Sequence, residues 1–149
     1  MNDTLIDLDP HGLLAASRSA VRARRLAEVR DLGLLAQWAA VHSADPTAGP
    51  EGARARRVGD VLVELGGEGT PRVQDFCLGE IALARGAGVT ATSNLLADVL
   101  DLQHRLPLTW AVTRRGECEP WVARRVARLS RHLPADKRSE EHTSELQSH

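Results

Sequence analysis

Apolar positions recur at helical spacing through most of the chain, in blocks set apart by clusters of glycine and proline. The first block opens at Asp9-Pro10: an aspartate caps free N–H groups, and proline suits the first helical position. From there to about His42 glycine occurs only at 12 and 33, and Leu14, Val21, Val29, Leu32, Leu35 and Ala39 lie near one face. Arg18 and Arg25 intrude on that stripe, so its partner surface is loosely packed or partly polar. A helix of about 30 residues is long for a small domain, and predicts either a span of the whole fold or pairing with a second copy.

Further along, Ser43 to Arg57 reads as a loop, and Val58 to Leu65 as a short apolar stretch open between strand and helix. Thr70-Pro71 predicts the start of a second helix running through Phe76, Ile81 and Leu83 to Arg85. After the turn at Gly86 to Gly88, Thr90 or Thr92 can cap a helix carrying Leu95, Leu96, Val99, Leu100 and Leu102. That helix stops at Leu106-Pro107, because the residue before a proline avoids helical geometry. Leu108 to Arg115 predicts a short helix closed by Gly116. Glu119-Pro120 opens the last one, with Val122, Val126, Leu129 and Leu133 as its apolar face and Pro134 as its stop. The expected fold class is all-α: five or six helices, a long N-terminal one followed by helix-turn-helix-like hairpins.

The composition fits one domain. The 149 residues are 42% hydrophobic and 26% charged, but only 3% aromatic, so the core must rest on Leu, Val and Ala. Lys137 is the one lysine among the 19 basic residues, a bias that with abundant Ala and Gly suggests a GC-rich genome. No apolar run reaches the roughly 18 residues of a membrane span, and the acidic start lacks the pattern of a secretory signal. Cys77 and Cys118 stand far apart without metal-ligand spacing, which suits a reducing cytoplasm better than a disulfide framework.

Residues 138–149 differ from everything before them: Ala, Gly and Val vanish, and no period remains. They resemble a reading-frame translation of a sequencing-library adapter, and are set aside as artefact, leaving residues 1–137 as the helical domain. One of the 19 basic and three of the 20 acidic residues go with them, so 18 and 17 remain and the formal charge becomes +1. The gene is accordingly expected to continue past Lys137.

Two segments could meet nucleic acid. Glu80 to His104 has a helix-turn-helix outline, whose second helix would offer Thr90, Thr92, Ser93 and Asn94 to bases or phosphates. The same helix carries Asp98 and Asp101 and no base until Arg105, and helical hairpins are also common in proteins that never touch DNA. The following hairpin is far more basic: Arg114, Arg115, Arg124, Arg125, Arg128 and Arg131 fall within 18 residues, opposed only by Glu117 and Glu119. Arg124, Arg128 and Arg131 share a face opposite the expected apolar one, as a phosphate-tracking surface requires, with Trp121 beside them to stack or to pack. A solvated face in an arginine-rich chain is the other reading of that cluster.

Catalytic patterns are missing. The Gly66–Gly69 run has no GxxxxGK[ST] continuation and no nearby lysine, and reads as a turn. His11, His42, His104 and His132 are scattered, no GxSxG motif occurs, and no Cys/His pair suggests a nucleophile. This chain is therefore expected to catalyse nothing alone and to bind no cofactor.

Taken together, Gly66-Gly67-Glu68-Gly69-Thr70-Pro71, Val73, Asp75-Phe76, Asp101-Leu102, Arg105-Leu106-Pro107, Trp110-Ala111, Gly116, Trp121 and Ala123-Arg124 resemble one family. It is the helical domain of unknown function 222, which precedes an HNH endonuclease module in many high-GC bacterial proteins, and the resemblance covers roughly Asp9 to Lys137. It implies a non-catalytic N-terminal domain that engages DNA or dimerises, possible homodimerisation through the long first helix, and a divalent metal only in an HNH module beyond this chain. The alternative is an interaction module with no nucleic-acid contact.

Overall fold

The computed structural model describes residues 7–134, so the expected artefact at 138–149 lies outside the described residues. Among these, six helices and one small hairpin follow in the order α1 (Pro10–Val41), α2 (Gly52–Val58), β1 (Leu62–Val63), β2 (Val73–Gln74), α3 (Asp75–Ala84), α4 (Val89–Arg105), α5 (Pro107–Arg114) and α6 (Pro120–Ser130). The fold is mostly helical, as the periodicity predicts. No helix among the described residues is long and apolar enough to cross a membrane.

The start of α1 follows its sequence signal: the Asp9 carboxylate accepts the Gly12 N–H at 2.6 Å, and Pro10 occupies the first turn. The chain then runs 32 residues without a break. Only its C-terminal part joins the core, through Leu32, Leu35, Ala36 and Ala39. Leu14 and Val21, expected on the buried stripe, are exposed. The reason is length: the other helices cover α1 only over its second half, and from Pro10 to Arg24 no residue is buried.

Two boundaries also differ from expectation. Residues 52–57, read as loop, form α2 together with Val58, and Gly59 closes it at φ 85°. The helix expected from Pro71 begins at Asp75 instead, because Val73–Gln74 pair antiparallel with Leu62–Val63, Val63 opposite Val73. Thr70 does not cap α3; its hydroxyl donates to the Gly67 carbonyl at 2.7 Å and closes the glycine turn.

Helix α4 is the centre of the molecule. It packs against α1, α3, α5 and α6, and its residues from Leu96 to Leu102 are buried on every side. Smaller ties hold the periphery. Trp38 Nε1–H donates to the Cys77 carbonyl at 3.0 Å, joining α1 to α3, and both cysteines are free thiols.

At the end of α3, the Arg85 guanidinium grips both oxygens of Asp31 on α1 and holds that carboxyl below the usual range. A carboxyl lowered on folding stabilises the fold at pH above its unfolded pKa of about 4, and loses that contribution as pH falls through its folded value. The pair is half exposed, so it contributes at most about 1 kcal/mol. Asp31→Asn should accordingly lower the Tm by no more than about 5 °C at neutral pH, with the gap to wild type closing as melts are repeated toward pH 3.

Candidate nucleic-acid interface

The site begins with two aspartates and an arginine on the central helix. Asp98, Asp101 and Arg105 sit at i, i+3 and i+7, which places them on one side of α4, and all three are buried. A buried charge survives only when paired and hydrogen-bonded. The partners come from α6 and from Arg131 at its C-terminal cap. Asp98 accepts from Arg124 Nε at 2.7 Å and from Arg131 Nη2 at 2.6 Å, while Asp101 accepts from Arg131 Nε. Arg128 stands further off, its Nε 3.7 Å from Asp98. Burial pulls the Arg131 guanidinium toward its neutral form, but its bonds to Asp101 and Asp98 outweigh this and leave its pKa raised.

The glycine run enters the same network. The Gly67 N–H donates to Asp101 Oδ1 at 2.7 Å, and Arg105 Nη1 donates to the Glu68 carbonyl. The other end of the Arg105 fork takes the carbonyls of Ser130 and Leu133, at 3.0 and 2.7 Å, neutralising the C-terminal end of α6. A methyl group at Gly67 would lie 2.5 Å from the Arg131 carbonyl oxygen and 2.7 Å from Arg105 Cζ. Gly67 is therefore glycine because two partners approach it closely. Gly67→Ala should cost about 2–3 kcal/mol, read as a lower urea midpoint at unchanged slope.

These contacts revise the expected binding surface. Arg124 and Arg131 were expected to face solvent with Arg128; instead they point inward to buried carboxylates. The buried positions of α6 are Pro120, Ala123 and Ala127, small residues that let α6 lie close on α4. The expected apolar face, Val122, Val126, Leu129 and Leu133, is exposed. Thr92 faces inward as well: it is 0% exposed, and its hydroxyl is enclosed without a partner among the described residues. Its position four residues before Leu96 puts it on the core side of α4. Asn94 stays exposed on the first turns of that helix.

What remains outside is a different line. Trp121, Arg125, Arg128 and His132 follow at i, i+4, i+7 and i+11, and all are exposed, Trp121 at 58%. Arg114, at the end of α5, is exposed and carries no ion pair among the described residues; neither does Arg125. Arg115 is exposed but engaged by Glu117 at 3.0 Å. The signal for this line was present in the chain, since Ala123 and Ala127 mark the contact face and fix the opposite side.

No family model matches the chain, and neither a curated protein nor a solved structure matches it.

Proposed function

We propose that this chain is the non-catalytic helical module of an HNH-endonuclease-family protein, and that it engages DNA along the outer line of α6. The observation that supports this reading is the line itself: an exposed Trp121 followed by Arg125, Arg128 and His132, with the two arginines free of any strong internal pair. Guanidinium groups spaced along one helix face suit successive phosphates, and each phosphate neutralised releases counterions. Arg114 extends the positive surface from the neighbouring helix, and Asn94 offers an uncharged contact on α4. Hydrolysis, with its metal-activated water, belongs in this reading to an attached His- and Asn-bearing module, and α6 supplies affinity and placement.

The test is a fluorescence anisotropy titration of a labelled duplex with the full chain at several salt concentrations. Arg125→Ala/Arg128→Ala should weaken binding while the far-ultraviolet dichroism stays that of wild type. Unchanged affinity in that folded variant would remove α6 from the interface.

A further inference from the structure

Among the described residues none from Pro10 to Arg24 is buried, so the N-terminal half of α1 is a largely uncovered helical arm, touched near its base by the turn at Gly116. Residues 10–24 would span roughly 22 Å at 1.5 Å per residue. A helix of that length draws its stability in water mainly from tertiary packing. The line that buries Leu32, Leu35 and Ala39 continues outward through Arg25, Val21, Arg18 and Leu14, the last 58% exposed. Ser17, Arg18, Val21, Arg22 and Arg25 border an open depression of about 310 Å³ along it.

The chemistry of the missing cover can be read from the base of the arm. There Arg24 and Arg25 both donate to Glu119 at the start of α6, at 2.7 and 3.1 Å. One and two turns further out, Arg22 and Arg18 have no close ion pair among the described residues, Arg22 feeling only the more distant charge of Glu117. The arm thus asks for an apolar helix face bordered by carboxylates. A second α1 arm fits badly, since arginines would meet arginines. The exposed apolar line of α6 fits no better, with Arg125 and Arg128 beside it.

Helix α3 has the required face. Phe76 and Leu83 lie at i and i+7, half exposed and 83% exposed, with Glu80 between them and Asp75 at the helix start. Gly79 on the same side has open space where a side chain would stand, so another helix can approach closely. Acidic groups outnumber basic ones here: Asp60, Glu80 and Asp75 add to the burial that pushes the Cys77 thiol up, and Glu51 and Arg54 border the depression beside Phe76.

We propose that two copies of this chain associate by each laying the arginine-bordered arm of its α1 on the acidic outer face of the other's α3. Every copy carries both halves of the contact, and a reciprocal exchange closes a two-fold pair. The contact uses neither the α6 line nor DNA, so it stands or falls separately from the reading above.

Sedimentation velocity of the full chain from about 5 to about 200 μM tests it, a range suited to a contact of micromolar affinity. A dimer is expected, weakened at least about tenfold by Arg18→Glu/Arg22→Glu and likewise by Glu80→Arg. Combining the two sets should bring affinity back toward wild type, because the reversed charges again face one another. Dichroism checks that each variant remains helical. A monomer throughout the range overturns the proposal. So does a dimer that Leu14→Asp/Val21→Asp abolishes but Glu80→Arg leaves unmoved, which would mean that arm pairs with arm. Failure of the combined variant to regain affinity overturns the assigned partner face.

Discussion

Asp101→Ala is expected to remove about 3–5 kcal/mol of folding free energy, the usual cost of breaking a buried ion pair from one side. The carboxylate is wholly buried and serves two elements at once: it accepts the Gly67 N–H of the glycine turn and the Arg131 Nε of the segment after α6. Its loss leaves the Gly67 donor without an acceptor, and removes one of the two carboxylates that face Arg131 and the one paired with Arg105. A domain of this size holds about 5–15 kcal/mol in all, so the variant should be marginal at room temperature. Urea unfolding followed by dichroism measures the change. Arg128→Ala is the control, because its 3.7 Å approach to Asp98 and its 55% exposed side chain limit the cost to about 0.5 kcal/mol. Equal midpoints for the two variants would show that the network is not what fastens α6 to α4.

The residues that made the sequence resemble a family gain a physical meaning from this network. Gly67, Glu68, Asp101, Arg105 and Arg124 lie in three separate stretches of the chain, yet all belong to the one buried polar cluster. Their spacing reflects packing: a turn that must come close, a helix with two carboxylates, and a helix that brings arginines to meet them.

Where local chemistry decided the structure, the sequence was readable. Asp9-Pro10, Leu106-Pro107 and Glu119-Pro120 each bound a helix as their capping and backbone rules require, and Gly116 takes the positive φ that ends the turn after α5. Where two elements decided it together, the reading failed. Val122, Val126 and Leu129 have the period of a buried face, but the α4 surface opposite α6 carries two carboxylates. It therefore draws in Arg124 and Arg131, and leaves the larger apolar residues outside. Thr92 was misplaced for a related reason: several elements pack on α4, and this residue stands on the core side of the helix while Asn94 faces outward. In α1 the stripe was correct as a direction but not as a burial pattern, because nothing in one helix's period says how far its neighbours extend.

The same inversion separates two kinds of arginine, and DNA binding should tell them apart. Arg125→Ala/Arg128→Ala removes two solvent-facing cations, so the slope of log affinity against log salt should fall by about two, with affinity at low salt dropping roughly 10- to 50-fold. The folded state should be untouched, since neither side chain carries a strong internal contact. Arg124→Ala/Arg131→Ala removes the same formal charge but strips the buried Asp98 and Asp101 of their closest cationic partners, leaving only the longer pairs to Arg128 and Arg105. Its binding defect should appear with a lost melting transition, as a fall in the fraction of competent protein. Trp121→Ala adds a further distinction. Stacking on an aromatic ring needs an unstacked base, so this change should weaken single-stranded DNA by about 1–3 kcal/mol and leave duplex binding alone. If instead Arg124→Ala/Arg131→Ala stays folded and lowers the salt slope, while Arg125→Ala/Arg128→Ala binds as wild type does, the phosphate surface lies on the inner face. The ion pairs with Asp98 and Asp101 would then have to open on binding.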